Sequence, residues 1–269
     1  MRWLPIFFYS IRLILRARFL TVTLFSVLFL SVAVLLAGQF AGRQPETVSL
    51  DVGISVIRLV LPFIIVLLSQ ELISSEFGRR YFLGTLTYPC TRFTWLAGRF
   101  FALSSAVVLI MAIMAIVLVF LVGWVGGGYS QTTPVDLGFS YLIVIGFVAI
   151  DAMVLISLSV LIALLASVPS FVLLGVLGFM LAARSFSAII NLLARDSSVV
   201  PGAEVYGAGV SLLGYMLPDL GALDVRGVAL YGQMEFLPSD WLWLIMSCAS
   251  YSLALLGGAA WIFNRRRFS

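Results

Sequence analysis

Six long apolar runs constrain this sequence more than any other feature. A helix needs about 20 predominantly apolar residues to cross the roughly 30 Å hydrocarbon core of a membrane. Runs of that kind occur at residues 19–38, 52–74, 95–123, 138–166, 170–194 and 241–263. The stretch at 139–183 is too long for one span, and the Val-Pro-Ser at 168–170 divides it because proline disfavours helix at the residue before it. We therefore predict an all-α integral membrane protein, with six transmembrane helices forming a single transmembrane domain over residues 1–269.

The charged residues are few and of restricted type. Only 10% of the 269 residues are charged, the chain has no histidine or lysine, and all 16 basic residues are arginine. Without lysine the chain lacks the phosphate-binding residue of a GxxxxGK[ST] loop, so we do not expect it to hydrolyse ATP by that route. Without histidine it lacks the commonest metal ligand and general base. We expect no catalytic site, metal site or cofactor on this chain, and no nucleic-acid partner.

The arginines are distributed asymmetrically. Eleven of them, with one acidic residue, lie in residues 1–18, 75–99 and 264–269. Three arginines, with nine acidic residues, lie in residues 39–51, 124–137 and 195–240. Because positive charge concentrates in the cytoplasmic loops of membrane proteins, the first set of segments is predicted to be cytoplasmic. The asymmetry therefore predicts a multi-pass protein of the bacterial cytoplasmic (inner) membrane with both termini in the cytoplasm.

Residues 1–18 have the pattern of an amphipathic helix. Polar residues share one side of that helix: Arg2, Tyr9, Arg12 and Arg16. Apolar residues share the other side: Trp3, Leu4, Phe7, Ile11, Ile14 and Leu15. Arg18 breaks the apolar stripe and predicts a bend into the first span. We predict an interfacial helix along the inner leaflet, the alternative being a cytoplasmic extension of the first span.

Residues 71–100 interrupt the apolar runs with the sequence ELISSEFGRRYFLGTLTYPCTRFTWLAGRF. A hydrolytic or transfer site needs a nucleophile with a base, or paired carboxylates. The stretch offers Cys90 without a histidine, and Glu71 and Glu76 without an obvious partner acid. A catalytic site is therefore not expected. The arginines alone fit a contact with phospholipid headgroups, but that interpretation leaves the aromatic residues unexplained.

Wound as a helix, the first half of this stretch presents two apolar faces with charge between them. One face carries Ile73, Phe77, Tyr81 and Gly84. The second face carries Phe82 and Leu86. The surface between the two faces carries Glu76, Arg79, Arg80 and Leu83. Glu76 precedes Arg80 by four positions and can brace it. Such a helix suits a wedge between its own bundle and a groove in another protein.

Several residues of the stretch follow a known pattern. Glu76, then Gly84-Thr85-Leu86, then Pro89 and Thr91-Arg92 resemble the cytoplasmic coupling segment of ABC-2 type transporter permeases. The stretch LPDLGALDVR at 217–226 is similar to a segment of the branch that includes copper-enzyme-maturation and gliding-motility permeases. One departure is Arg99, where relatives often have lysine. The order of predicted elements matches that family along nearly the whole chain.

The resemblance implies a permease subunit of an ABC exporter. ATP and Mg²⁺ would bind a separate cytoplasmic ATPase, and two permeases, identical or paralogous, would pair with two ATPase subunits. The implied ATPase contacts on the coupling segment, residues 75–94, are Glu76, Phe77, Arg79, Arg80, Phe82, Leu83, Gly84, Thr85, Leu86, Pro89 and Arg92. Two alternatives remain open: a membrane scaffold of a maturation or motility complex, and a secondary carrier or channel.

Four charged residues lie within or next to the apolar runs. A charge at mid-membrane costs on the order of 3 kcal/mol, so each needs a partner or water. Asp151 is predicted near the midplane, Arg184 at a similar depth, Arg58 nearer the outer surface and Glu71 near the inner end of the second span. We predict an Asp151–Arg184 or Asp151–Arg58 pair. Its role is either a polar translocation lining or a structural pair that fixes helix register.

Residues 195–240 form the one sizeable region outside the predicted spans. The region is too apolar for a free loop, which predicts short helices or a re-entrant hairpin packed at the outer surface before the sixth span. In the scaffold alternative this outer segment is a docking face for an outer protein partner.

Overall fold

The computed structural model describes residues 4–74, 91–127, 135–166, 168–195 and 218–265. Of the implied ATPase contacts, Arg92 lies within these ranges. The others lie outside the described residues: Glu76, Phe77, Arg79, Arg80, Phe82, Leu83, Gly84, Thr85, Leu86 and Pro89.

Every regular element in the described ranges is helical. Eight α-helices are present: α1 Leu4–Ala17, α2 Phe19–Phe40, α3 Pro45–Ser69, α4 Arg92–Gly126, α5 Phe139–Leu165, α6 Pro169–Arg195, α7 Arg226–Tyr231 and α8 Trp241–Arg265. A π-helical turn, Gln70–Ser74, continues α3, and a 3₁₀ turn, Met234–Phe236, precedes α8. The breaks between α1 and α2 at Arg18, and between α5 and α6 just before Pro169, lie where the sequence predicts them.

Five of these helices are long and apolar enough to cross a membrane. They are Phe19–Phe40, Pro45–Ile73, Arg92–Gly126, Phe139–Leu165 and Trp241–Arg265. The fifth predicted span, 170–194, coincides with the 27-residue helix α6, within which Ser170–Ser185 is an apolar helix. The described residues are therefore those of a multi-pass, all-helical membrane protein and contain five candidate spans. The six-span arrangement remains a prediction.

Helix α5 is the centre of the bundle and packs against α3, α4, α6, α7 and α8. Helix α2 packs on the opposite side, against α3 and α4. The packing of α3 on α4 is close at Gly53, where an added Cβ atom would overlap the side chain of Leu118. Small residues permit such close approach between membrane helices. The core is therefore built around α3, α4 and α5.

Helix α1 packs across the start of α4. Gly98 of α4 lets the Ile6 side chain approach its backbone, and Ile14 is buried in the core. Part of the apolar face predicted for the lipid surface thus contacts the protein, while Leu15 stays exposed.

Candidate functional site

One face of α3 carries a row of polar side chains. Asp51, Ser55 and Arg58 occupy positions i, i+4 and i+7, which lie on the same side of a helix. Arg58 is the fourteenth residue of the 29-residue span Pro45–Ile73 and so lies near its middle. The sequence predicts Arg58 nearer the outer surface, and this depth stays a prediction. Helix α3 begins seven residues before the predicted span.

Arg58 joins α3 to a segment that comes 160 residues later in the chain. Its Nη1 lies 2.7 Å from Oδ2 of Asp224, and its Nη2 donates to the backbone carbonyl of Leu220 at 3.1 Å. The same Nη2 lies 3.7 Å from Oδ2 of Asp151 on α5. The Arg58 residue is only 7% exposed. The guanidinium therefore has two carboxylates and a carbonyl to offset the cost of its burial.

Asp151 is shared between two arginines on different helices. Its Oδ2 lies 2.5 Å from Nη2 of Arg184, in addition to the contact with Arg58. Arg184 also donates from Nη1 and Nη2 to the backbone carbonyl of Arg58, at 3.2 and 3.3 Å. Asp151 is 2% exposed. The structure thus brings together Arg58, Asp151 and Arg184, and both predicted pairings are present at one carboxylate oxygen.

Three atoms of this trio lack hydrogen-bond partners among the described residues. They are Oδ1 of Asp151 and the Nε atoms of Arg58 and Arg184, all of them buried. Buried polar atoms without a partner are rare in protein cores. The trio therefore has hydrogen-bonding capacity beyond its three ion contacts.

Arg226 extends the cluster toward the N-terminal end of α3. It donates to Asp224 from Nε at 3.1 Å and from Nη2 at 2.8 Å, and its Nη1 donates to Asp51 and to Ser55 Oγ, both at 2.8 Å. Burial lowers the pKa of the Arg226 guanidinium, but the hydrogen bond to Asp51 and the charge of Asp224 outweigh it, so the pKa is raised.

The six charged residues form what we call the charge network, in which three arginines face three aspartates: Arg58, Arg184, Arg226, Asp51, Asp151 and Asp224. The formal charges cancel. Opposite charges that cancel locally can be buried where isolated ones cannot.

The residues that supply Asp224 and Arg226 are seated inside the bundle. Within the segment 218–231, Leu220 and Val228 are fully buried, and α7 packs against α3 and α5. Gly232 ends α7 in a left-handed conformation with φ of +64°, which glycine adopts without strain. Exposed apolar side chains begin at the end of α7 and continue into the start of α8: Tyr231, Met234, Phe236, Trp241, Leu242 and Trp243.

A second arginine cluster lies at the opposite end of α3, and we call it the Arg99 cluster. Arg99 is fully buried, and its Nη1 donates to the carbonyl of Leu72, in the π-helical turn, at 2.8 Å. Its guanidinium lies 5.1 Å from the Trp95 ring centroid and 5.8 Å from that of Tyr9, within the range of cation–π attraction. Arg99 thus joins α1, the end of α3 and α4.

Arg92 attaches the end of α8 to the same region. Its Nη1 donates to the backbone carbonyls of Phe263 and Asn264, each at 2.9 Å. These carbonyls belong to the last turn of a helix, where cations are favoured. The Trp95 and Phe263 rings stack at 5.1 Å. Four chain segments, α1, α3, α4 and α8, therefore meet around two arginines.

Glu71 lies at the same end of α3 as the Arg99 cluster. It lies in the π-helical turn, 13 residues after Arg58, which is about 20 Å along a helix axis. It lines a small groove of about 380 Å³ with Arg18 and Gln70. The structure does not bring Glu71 to the charge network.

Sequence reasoning missed half of the charge network. Asp51, Asp224 and Arg226 were not predicted site residues, although the i, i+4, i+7 spacing of Asp51, Ser55 and Arg58 was visible. The burial of Arg99 was also missed, since an arginine near a helix start is usually placed at the headgroups.

No group of three or more His, Cys, Asp or Glu side chains that could hold a metal ion occurs in the part of the chain that the structure describes. The likeness to ABC-2 permeases rests on the sequence features at 76–92 and 217–226. No protein-family model and no curated protein matches this chain.

Proposed function

We propose that this chain is the membrane subunit of an ATP-driven exporter and works with a separate cytoplasmic ATPase and a second permease chain, identical or paralogous. One observation carries the proposal. The Arg99 cluster joins the end of α3 to the start of α4, the two segments on either side of residues 75–90. Those residues are the part of the coupling segment whose sequence resembles the ATPase-binding segment of ABC-2 permeases.

The residues on both sides of 75–90 are buried. Leu72 and Ile73 precede it, and Trp95 and Leu96 follow it, each no more than 3% exposed. Arg99 connects the two sides through its hydrogen bond to Leu72. A force applied to residues 75–90 is therefore transmitted to α3 and α4 together, because neither the end of α3 nor the start of α4 can move without disturbing packed side chains.

The direction of that push follows from the predicted orientation. The arginine-rich end faces the cytoplasm, α1 lies along the inner leaflet, and the ATPase binds at Glu76 to Leu86 with Pro89 and Arg92 at the far end. Nucleotide-driven closure of the ATPase pair then tilts α3 and α4.

In this proposal the charge network is the outer closure of the permease. The segment 218–231 is seated between α3 and α5, and its Asp224 neutralises Arg58 near the middle of α3. An outward-open state separates that segment from α3. The exposed charges then line a polar path, so the structural and translocation roles of Arg58, Asp151 and Arg184 belong to different states of one cycle.

The decisive experiment is purification in mild detergent, followed by identification of co-purifying proteins. We expect a Walker-motif ATPase with the natural chain, and its loss with Glu76→Ala or Arg80→Glu while the permease stays in the membrane. Arg43→Glu is the matched control, since Arg43 is exposed and predicted on the opposite side. Retention of the ATPase by both coupling variants, or release by the control, contradicts the proposal.

A second candidate function is a scaffold for an outer protein partner. It is favoured by the adjacent exposed side chains Tyr231, Met234 and Phe236, of which the two rings lie 5.3 Å apart. Replacing all three with serine would release an outer partner and leave the ATPase bound. If the assembly purifies without an outer partner and the serine substitutions leave transport unchanged, the scaffold function is excluded.

A further inference from the structure

An apolar groove is formed by three helices of the bundle. It has a volume of about 690 Å³ and runs between α4, α5 and α8. Its edges are formed by Phe93, Phe101 and Leu253, whose side chains are more than half exposed, and its floor includes Met153. The groove is therefore open along the side of the protein that faces the membrane interior.

The groove lining has few polar atoms with which an occupant could form hydrogen bonds. Cys248 and Ser252 are the two lining residues with polar side-chain atoms, and Ser252 Oγ already donates to the carbonyl of Cys248 at 2.9 Å. No charged residue lines the groove among the described residues. An occupant gains by burying apolar surface and needs no hydrogen bond here.

The groove extends along α8 for slightly more than the thickness of one leaflet's hydrocarbon. The lining residues of α8 extend from Ile245 to Gly257, a rise of about 18 Å. Gly257 lies eight residues, or about 12 Å, before Arg265, and half of the hydrocarbon core is about 15 Å thick. A single acyl chain that enters from the level of Arg265 therefore passes Gly257 and ends in the groove near Leu253, close to the bilayer centre.

Positive charge marks the end from which that chain would enter. On α8 the face of Gly257 continues to Ala260 and Asn264, and the Asn264 carbonyl accepts a hydrogen bond from Arg92. Arg265 follows directly and is exposed, with its guanidinium 4.3 Å from the Trp261 ring centroid. Two guanidinium groups therefore lie at the headgroup level below the groove.

We propose that this groove binds one acyl chain of an anionic phospholipid, whose phosphate lies at Arg92 and Arg265. A helix of a second copy is a poorer occupant, because the arginine-rich segments of this chain contain eleven arginines and only one acidic residue. Two such surfaces repel each other, whereas an anionic headgroup supplies the missing negative charge.

The proposal gives the lipid a structural task that is separate from ATPase binding. Helix α8 packs mainly on α5, and its described contacts with α4 include the carbonyls held by Arg92. An acyl chain in the groove fills the space between α4 and α8 above that point. It therefore braces α8 against a helix that the Arg99 cluster joins to α3.

Photo-crosslinking in vesicles tests the proposal with two probes. The full chain, with any co-purifying subunits, is reconstituted with trace phosphatidylglycerol or phosphatidylcholine carrying a photoactivatable acyl chain. We expect phosphatidylglycerol adducts at groove residues such as Leu253 and Met153. Labelling by phosphatidylcholine should be about fivefold weaker, because one arginine near an anionic surface contributes about 1 kcal/mol. We expect that preference to be lost in Arg265→Gln.

A matched pair of glycine substitutions tests the groove itself. Gly257 lines the groove, and Gly178 is an exposed residue of α6. A Cβ atom added at either glycine would have no neighbouring atom within 4 Å. Gly257→Phe fills the groove and should reduce the adducts at Met153 at least about fivefold, whereas Gly178→Phe should leave them unchanged. If Gly257→Phe does not fold, Ala249→Phe fills the same groove.

Several results would overturn the proposal. They are adducts spread evenly around the bundle, equal labelling by the two lipids in the natural chain, adducts unaffected by the filled groove, or crosslinks from Leu253 to a second copy in place of lipid. The test needs no ATPase, so its failure leaves the proposed exporter function standing, and loss of ATPase binding leaves the lipid site standing.

Discussion

The two arginine clusters of this protein pack different groups against a buried guanidinium. In the charge network, carboxylates contact Arg58 and Arg226 and cancel their charge. In the Arg99 cluster, the contacts of Arg99 include a backbone carbonyl and two aromatic rings. Carboxylates can exchange partners at modest cost when a path opens to water. Rings packed around a guanidinium hold one arrangement, because separating them exposes apolar surface.

The different partners of the arginines in the two clusters fit different roles in the proposed function. In the proposed export cycle, the network joins a segment that separates from α3 when the protein opens outward, whereas the Arg99 cluster joins helices that move together. All the predictions except the last test one side of that contrast, and they run from the largest expected effect to the smallest.

Asp151→Ala should have the largest effect on stability. It removes the carboxylate shared by Arg58 and Arg184 and leaves both cations in the bundle, so we expect a loss of about 3–5 kcal/mol in the free energy of unfolding. Unfolding in mixed micelles measures it. Glu235→Ala, at an exposed site, is the control. A loss under about 1 kcal/mol would mean that the network does not hold the bundle together.

Asp151→Asn separates the two roles of that carboxylate. The amide keeps the size and one acceptor, so the protein should assemble with its ATPase. Normal assembly with lost transport would assign Asp151 to the translocation lining, and failed assembly would assign it to structure alone.

Arg99→Ala should cost roughly 2–3 kcal/mol, because it removes a charged hydrogen bond to Leu72 and the cation–π contacts with Trp95 and Tyr9. Arg99→Lys should recover less than half of that loss, since an ammonium lacks the planar group that stacks on rings. The same unfolding assay applies, with Arg43→Ala as an exposed control. Full rescue by lysine would show that charge alone matters there.

Asp224→Asn should loosen the segment 218–231 without unfolding the bundle. It weakens the contacts with Arg58 and Arg226, worth about 1–2 kcal/mol together, so backbone amides near Leu220 and Ala229 should exchange hydrogen roughly 5- to 30-fold faster. Asp51→Asn should change that exchange less, because Asp51 is more exposed than Asp224. Equal effects of the two variants would argue against a graded network.

The smallest effect is expected at Asp136, just before α5. Hydrogen bonds from the Ser140 hydroxyl and the Gly138 amide hold the pKa of Asp136 below its usual value of 3.8. The stability that this difference provides is present above pH 3.8 and is lost as the pH falls through the lowered folded-state pKa. Ser140→Ala should raise the pKa toward 3.8, which a carboxyl NMR titration measures. No change would mean that the serine does not bond the carboxylate.

Local pattern predicted the helices and the deepest ion contacts. Apolar runs predicted the long helices, Arg18 and Pro169 predicted two breaks, and the depth of Asp151 predicted a pair with Arg184 or with Arg58, both of which it contacts. A charged residue deep in an apolar run has few possible partners, because few other charged residues lie at that depth. Depth alone was therefore sufficient to predict the partners of Asp151.

Long-range partners were not predictable in the same way. Asp224 meets Arg58 from 166 positions away, and nothing in its own neighbourhood indicates that its segment enters the bundle. Arg99 lies seven residues into α4, where an arginine can equally extend to headgroups or turn inward. The choice depends on Tyr9 and Leu72, which three-dimensional packing brings to it.

The π-helical turn at Gln70–Ser74 has a consequence for how the chain leaves α3. A π turn accommodates one more residue than an α turn, so deleting a single residue there would restore a regular helix. Leu72 lies inside that turn, so the position of the carbonyl oxygen that Arg99 reaches depends on one surplus amino acid.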